Sequence, residues 1–321
     1  MPDFIPVLHG VVDERPDESD TVRTAGLVSE ALIRLGYDSD VIAINLDLSV
    51  LERLAKRQPL TVFNLVEAIR GDGRLGHIAC SAMDHLGLSY TGASEAAYYQ
   101  SNSKLMTKAI LRSAGLPTAP WWLGEAPSGC TVIVKSVHEH ASYGLDQGSI
   151  VDGAAAASEI VSREARFGGQ FFAEQYIDGR EFNISLLETE NGVKVLPIPE
   201  IRFDGLPEGT YPIVDYAAKW DESSDTFRHT VRAFDTVAAG SELAGRLTDL
   251  SLACWTAFGL RGYGRIDFRV GRADDVHILE VNANPSLAPD AGFAAALQQG
   301  GLDYHTGIQA IVMASQTVRK N

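Results

Sequence analysis

The chain has 321 residues, 45% hydrophobic and 21% charged, which is the make-up of a globular protein with a sizeable core and excludes wholesale disorder. Its 27 Lys and Arg against 42 Asp and Glu give a formal charge of −15, which disfavours nucleic acid as a partner but leaves room for one small basic pocket. Cys80, Cys130 and Cys254 are far apart and form no C-x-x-C pair, so neither a disulfide framework nor a cysteine-based zinc site is expected. No basic-then-apolar leader opens the chain and no apolar run nears the ~20 residues of a bilayer span, so a reduced, cytoplasmic protein with no membrane partner is expected.

Strand and helix signals alternate over the first third of the chain. Apolar runs at 5–8, 40–44 and 61–66 read as strands, and helical spacing covers 21–35, 50–57 and 77–86, with stops at Gly36 and Gly87. This rhythm predicts a parallel sheet with helices on both faces. A helix over 103–113 is closed by Gly115 and Pro117. Then come a β-branched strand at 131–135, a helix at 153–167, a strand at 170–176, a turn at 177–180 and strands at 181–188 and 193–201. Strands at 264–270 and 276–282 form a hairpin across 271–275. The fold class is therefore α/β followed by α+β, with units expected at 1–95, 96–180 and 181–321.

The motifs are individually modest. Gly71-Asp72-Gly73-Arg74-Leu75-Gly76 is literally G-x-G-x-x-G, but it does not follow the first strand of a βαβ unit, so a dinucleotide site is a weak reading. No P-loop, H-E-x-x-H or G-x-S-x-G pattern occurs. His138 and His140 flank Glu139 in a loop, where hydrogen bonding is commoner than metal binding. Lys104 and Lys108 share a helical face, which on spacing alone reads as a solvated face. Lys135 ends an apolar strand beside a polar loop carrying Ser142; it suits phosphate neutralisation or, equally, a sheet edge. Glu174 and Glu181 bracket the 177–180 turn and can flank a ribose or accept from an adenine amino group, or be plain hairpin charges.

The strongest constellation is Arg265, Asp267, Glu280 and Asn282. Glu280 and Asn282 are two apart on one strand and share a face; Arg265 and Asp267 do the same on the preceding strand. If the register sets Asp267 opposite Glu280, three hard oxygen ligands converge, a set that favours Mg2+ over zinc.

Taken in order, the segments resemble the ATP-grasp superfamily and, within it, the D-alanine–D-alanine ligases. The stretches that carry this are Val62-Phe63-Asn64, Gly71-Asp72-Gly73, Tyr90-Thr91-Gly92, the run from Lys104 to Pro120, Val132-Ile133-Val134-Lys135, Glu174 to Phe182, Pro197-Ile198-Pro199-Glu200-Ile201, Asp215 to Lys219, Gly262 to Phe268 and Leu279 to Pro285. The resemblance implies an ATP-grasp fold behind an N-terminal parallel-sheet domain. It also implies a homodimer that joins a small-molecule carboxylate to an amine through an acyl phosphate. Under it Lys104 and Lys135 hold ATP phosphates, with Ser142 in the adjoining loop. Glu174, Tyr176, Ile177 and Glu181 contact adenine and ribose, and Lys219 sits on a loop that closes over the γ-phosphate. Asp267, Glu280 and Asn282 bind two Mg2+ ions, with Mn2+ as the alternative. Arg265 steadies the reacting carboxylate and its oxyanion.

The departures lie at the substrate positions. The family's N-terminal G-G-x-S-x-E is here His9-Gly10-Val11-Val12-Asp13-Glu14-Arg15, with Asp17 or Glu18 as candidates for the acidic residue. The family's histidine is missing from Glu67-Ala68-Ile69-Arg70-Gly71-Asp72-Gly73, which leaves Glu67 and Asp72 as substrate candidates. Ala141 replaces a loop serine and Trp220 a tyrosine, and Ser286-Leu287-Ala288-Pro289-Asp290 replaces G-M-T-x-x. Asp290 is expected to repel a free carboxylate and attract a cation. The reading is an ATP-dependent ligase for amino-acid-type substrates other than two D-alanines. The alternatives are a divergent D-alanine–D-alanine ligase of peptidoglycan precursor synthesis and a non-catalytic nucleotide-binding protein.

Overall fold

The computed structural model describes residues 2–11, 16–139 and 141–317, the side chains of 16–18 and 317 aside. Strands β1 (Val7–Gly10), β2 (Val41–Ile44) and β3 (Phe63–Asn64) form a parallel sheet in the order β2-β1-β3. Helices α1 (Pro16–Arg34) and α2 (Ser49–Arg57) make the crossovers that parallel pairing requires. α1 buries Ala25, Val28, Ala31 and Leu32, at helical spacing, against β1. A short turn at Gly73–Leu75 and helix α3 (His77–His85) cover the other face. Gly10 is required at the end of β1, because a Cβ there would lie 1.9 Å from the Ala68 carbonyl oxygen.

Helices α4 (Glu95–Ser101) and α5 (Lys104–Ser113) are capped by Ser94 and Ser103, whose hydroxyls accept from first-turn amides. They lead to an antiparallel sheet of β4 (Trp121–Trp122), β5 (Thr131–Ser136), β6 (Ile150–Asp152) and β7 (Phe171–Gln175), ordered β4-β7-β5-β6. Lys135 thus ends an interior strand rather than an edge. Helix α6 (Ala156–Phe167) backs this sheet.

The largest sheet contains β8 (Gly179–Thr189), β9 (Gly192–Val195), β10 (Glu200–Phe203), β11 (Thr230–Ala233), β12 (Tyr263–Gly271) and β13 (Val276–Asn282), ordered β11-β10-β8-β12-β13 with β9 also on β8. The single strand expected over 193–201 is two strands, because Pro197 and Pro199 have no amide to donate to a ladder. Short helices α7 (Tyr216–Trp220) and α8 (Asp225–His229) precede β11. Helix α9 (Glu242–Phe258) packs Leu247, Cys254, Trp255 and Phe258 behind the sheet, against Ile184, Ile266, Phe268 and Val281. Helices α10 (Gly292–Gln299) and α11 (Tyr304–Thr317) return the chain to the first layer and share its core with α1. Helices α4, α9, α10 and α11 are elements that the sequence reading did not place. Among the described residues, no helix is long and apolar enough to cross a membrane.

Candidate active site

A cleft of about 780 Å³ runs between the four-stranded sheet and the front of the large sheet, and the start of α1 and the 286–292 segment close one end. Strand alternation sets the chemistry of its floor. Phe182, Ile184, Ile266, Phe268 and Val281 face the core behind and are fully buried, so their neighbours in sequence face the cleft. Those neighbours are Glu181 and Asn183 on β8, Arg265, Asp267 and Arg269 on β12, and Glu280 and Asn282 on β13. The register pairs Asp267 with Glu280 and Arg265 with Asn282, as the sequence pattern required, and a bulge follows Asp267. Arg265 grips Asp267 with a fork of 2.7 and 2.8 Å. Burial alone would lower the Arg265 pKa, but Asp267 and Glu280 outweigh it and hold the guanidinium charged.

Two carboxylates and one amide oxygen on adjoining strands are a hard-oxygen set with the chemistry Mg2+ needs, and each carboxylate oxygen keeps a lone pair beyond the Arg265 fork. Among the described residues, no group of three His, Cys, Asp or Glu side chains converges, so a cation here draws further ligands from phosphate or water.

Across the cleft, Lys104 donates to the Glu139 carbonyl at 2.6 Å and lies 3.8 Å from Glu280. Lys135 donates to Glu174 at 2.7 Å, and Lys108 pairs with the other oxygen of the same carboxylate. Glu174 is 1% exposed, and a buried carboxylate must be compensated. It lines the cleft as the buried counter-charge that positions Lys135. Lys108 is likewise wholly buried, which corrects the solvated-face reading of its spacing. Burial pushes the Glu174 pKa up, but Lys108 and Lys135 more than reverse this and hold it below the usual carboxylate range.

Ile133 and Ile213 form an apolar slot with Tyr176, whose ring meets Tyr211 edge-on at 5.4 Å. Burial raises the Tyr176 phenol to about 12, and its buried hydroxyl has no hydrogen-bond partner among the described residues. Ile177 lines the same end, and Glu181 pairs with Arg269 at 2.9 Å. An apolar slot with an unsatisfied hydroxyl and carboxylates at its rim fits a purine nucleoside.

Two loops meet over the cleft. Ser142 donates to the Val214 carbonyl at 2.7 Å, and the Trp220 indole donates to the Ala141 carbonyl at 3.2 Å. Ala141 and Ser142 both have positive φ, 55° and 62°. Lys219 extends from α7 into the open cleft, where surrounding protein and then Arg265 lower its pKa.

At the far end Arg23 bonds Asp20 at 2.7 Å and Asp290 at 2.9 Å, and Ser286 lies 3.4 Å from Asp20. Arg23 thus serves two carboxylates, which offsets part of the charge of Asp290 and weakens the repulsion expected of it. Glu67 lines this region, but Asp72 does not: its carboxylate is forked by Arg74 at 2.6 and 2.9 Å and caps the Gly73–Leu75 turn. Residues 13–15 and 140 lie outside the described residues, as do the side chains of Asp17 and Glu18. The sequence reading missed Asp20, Arg23, Arg232 and Arg269, all of which line the cleft. For Arg269 a signal existed, since it continues the alternation of Arg265 and Asp267.

Comparison with known proteins agrees with this architecture. The family model of the D-ala D-ala ligase C-terminus matches residues 124–313. A D-alanine–D-alanine ligase of Methylococcus capsulatus is 31% identical over 92% of this chain and 91% of its own. The uncharacterized protein y4sG of Sinorhizobium fredii is 29% identical over 83% of this chain and 79% of its own. The crystal structure of a D-alanine–D-alanine ligase from Bacillus anthracis complexed with ATP superposes with a TM-score of 0.78 at 21% identity, covering 99% of both chains. With more than half its length under one family model and a relative similar from end to end, this chain belongs to the D-alanine–D-alanine ligase family and is an ATP-grasp ligase of that type.

Proposed function

We propose that the cleft joins the carboxylate of one small molecule to the amine of another, at least one of them different from D-alanine. The observation that carries this reading is the single sheet face that aligns Arg265, Asp267, Glu280 and Asn282 opposite Lys104 and Lys135. ATP would supply the activation by converting the carboxylate to an acyl phosphate, with Mg2+ offsetting the phosphate charge. Asp267, Glu280 and Asn282 are the residues placed to hold the cation. Lys104 and Lys135 are placed to take up phosphate charge, and Glu174 and Lys108 fix where Lys135 points. Tyr176, Ile177 and Glu181 are placed at the nucleoside end.

Arg265 offers its guanidinium where the reacting carboxyl must lie, and one such donor contributes about 3–4 kcal/mol to an oxyanion transition state. Lys219, on helix α7 beside the contacts of Val214 and Trp220 with Ser142 and Ala141, adds positive charge as that segment excludes water. The altered substrates rest on Glu67, Ala141, Trp220, Ser286 and Asp290, which stand where the family carries other residues. Trp220 fills its place by bonding the loop backbone, not a serine hydroxyl.

The test is phosphate release from ATP and Mg2+ against amino acids and dipeptides of both hands, with mass detection of products. Amide formation with a pair other than two D-alanines supports the proposal. D-alanyl-D-alanine as the sole product would return the chain to the family's named substrate, and ATP binding without turnover on any pair would favour a binding protein.

A further inference from the structure

One cation of the cleft has no task in the reaction just proposed. Arg232 lies on edge strand β11, opposite Ile201, and both residues face the cleft. Its guanidinium rests over Gly292 at the start of α10, where an added Cβ would lie 3.6 Å from Nη2. The neighbouring cations are matched: Arg265 holds both oxygens of Asp267, and Arg23 holds Asp20 and Asp290. The Arg232 guanidinium makes no hydrogen bond or ion pair within the described residues, although its backbone pairs with β10. Asp290, the carboxylate whose field reaches it, is committed to Arg23 at 2.9 and 3.2 Å. Arg232 is open to the solvent of the cleft, yet the surrounding protein and the charge of Arg265 both work against its cation. The first turn of α10 adds amides at the same place, since its N-cap is Ala291, with no side chain to accept from them.

We infer that Arg232 binds a substrate carboxylate that does not react. The anion is not a nucleotide phosphate, because Lys104 meets Glu280 on β13, the edge of the sheet opposite β11, and Lys135 belongs to the four-stranded sheet. A planar guanidinium with its fork free matches a carboxylate in two parallel hydrogen bonds. The group is either the α-carboxylate of the amine substrate or an acidic side chain on one of the pair. Arg232 then selects for a substrate with an anionic group beyond the carboxyl that is activated. This inference rests on the ligase reading for its substrate, though not for the anion site itself.

The experiment compares wild type, Arg232→Met and Arg232→Lys as full chains. Phosphate release from Mg2+ and ATP is measured with amino acids of both hands, each beside its C-terminal amide, and with aspartate and glutamate beside asparagine and glutamine. Amidating the recognised carboxylate is expected to lower wild-type kcat/KM by about tenfold or more. In Arg232→Met the charged substrate should fall to the level of its amide, the amide should be unaffected, and KM for ATP should not move. Arg232→Lys should recover part of the loss. The amide series that shows the effect identifies the carboxylate as α or side-chain.

Equal losses on charged and amidated substrates, or a rise confined to KM for ATP, would overturn the inference. A second readout needs no turnover. Malonate, but not malonamide, should raise the melting temperature of wild type and of Arg232→Lys but not of Arg232→Met. An equal malonate effect in Arg232→Met refutes the anion site. An intact malonate difference with no turnover on any pair supports the site and overturns only the ligase reading.

Discussion

Replacing Lys108 by Met is expected to destabilise the protein far more than its place on a polar-looking helix suggests. Lys108 and Glu174 are each 1% exposed at their side chains, and Lys108 also donates to Thr118 Oγ1 at 2.9 Å and to the Ala119 carbonyl at 3.3 Å. Removing one partner of a buried pair costs about 3–5 kcal/mol when the other charge is stranded. Lys135 still faces Glu174 at 2.7 Å, so the charge is half-met and about 2–4 kcal/mol is the expected loss. At roughly 2–4 °C per kcal/mol for a chain of this class, the melting temperature falls by about 4–16 °C. Urea titration and calorimetry measure both.

Lys108→Met with Glu174→Gln should recover about half of the loss, because the fully buried carboxylate is gone and only the part-exposed Lys135 loses its partner. The sign with pH follows from the same pair. Glu174 is held below its unfolded value, so its contribution is complete above the unfolded pKa of about 4.3 and is lost as pH falls through the folded value. The gap between wild type and Lys108→Met should therefore narrow below about pH 4. A loss under about 0.5 kcal/mol at neutral pH, or a gap that does not change in acid, would refute the reasoning.

Asp267→Asn and Glu280→Gln should each raise the Mg2+ concentration for half-maximal phosphate release by about tenfold or more, measured by metal titration at saturating ATP. Arg265→Met should lower kcat by about 10²–10³, with little change in the affinity for ATP measured by equilibrium binding. Trp220→Phe removes the bond to the Ala141 carbonyl and should raise ATP hydrolysis uncoupled from amide formation several-fold, read as the ratio of phosphate to product. Tyr176→Phe removes a hydroxyl with no partner among the described residues, so stability should hold within about 0.5 kcal/mol in urea while KM for ATP rises.

The most legible part of the sequence was the β12–β13 hairpin. Period-two alternation put Arg265, Asp267, Glu280 and Asn282 on one face, and the register did the rest. The parallel layer was legible for the same reason, since its runs are short, apolar and bounded by glycine stops. Helix α9 was missed although Ser241 caps it and Gly259 ends it in the left-handed region, because apolar residues surround its buried stripe and blur the period. The Lys108–Glu174 pair was invisible because the partners are 66 positions apart (174 − 108) and meet only when α5 packs beside β7. The Arg23–Asp290 pair was invisible for a like reason, since sequence alone does not bring α1 near the 286–292 segment.

The central claim is that a carboxylate is activated by phosphoryl transfer before an amine displaces it. It is tested most directly with the carboxyl substrate labelled with 18O in both oxygens, turned over with ATP, Mg2+ and the amine. The acyl phosphate route predicts inorganic phosphate carrying one 18O and an amide retaining the other, with phosphate and amide formed in equal amounts. Unlabelled phosphate released alongside an amide would contradict it.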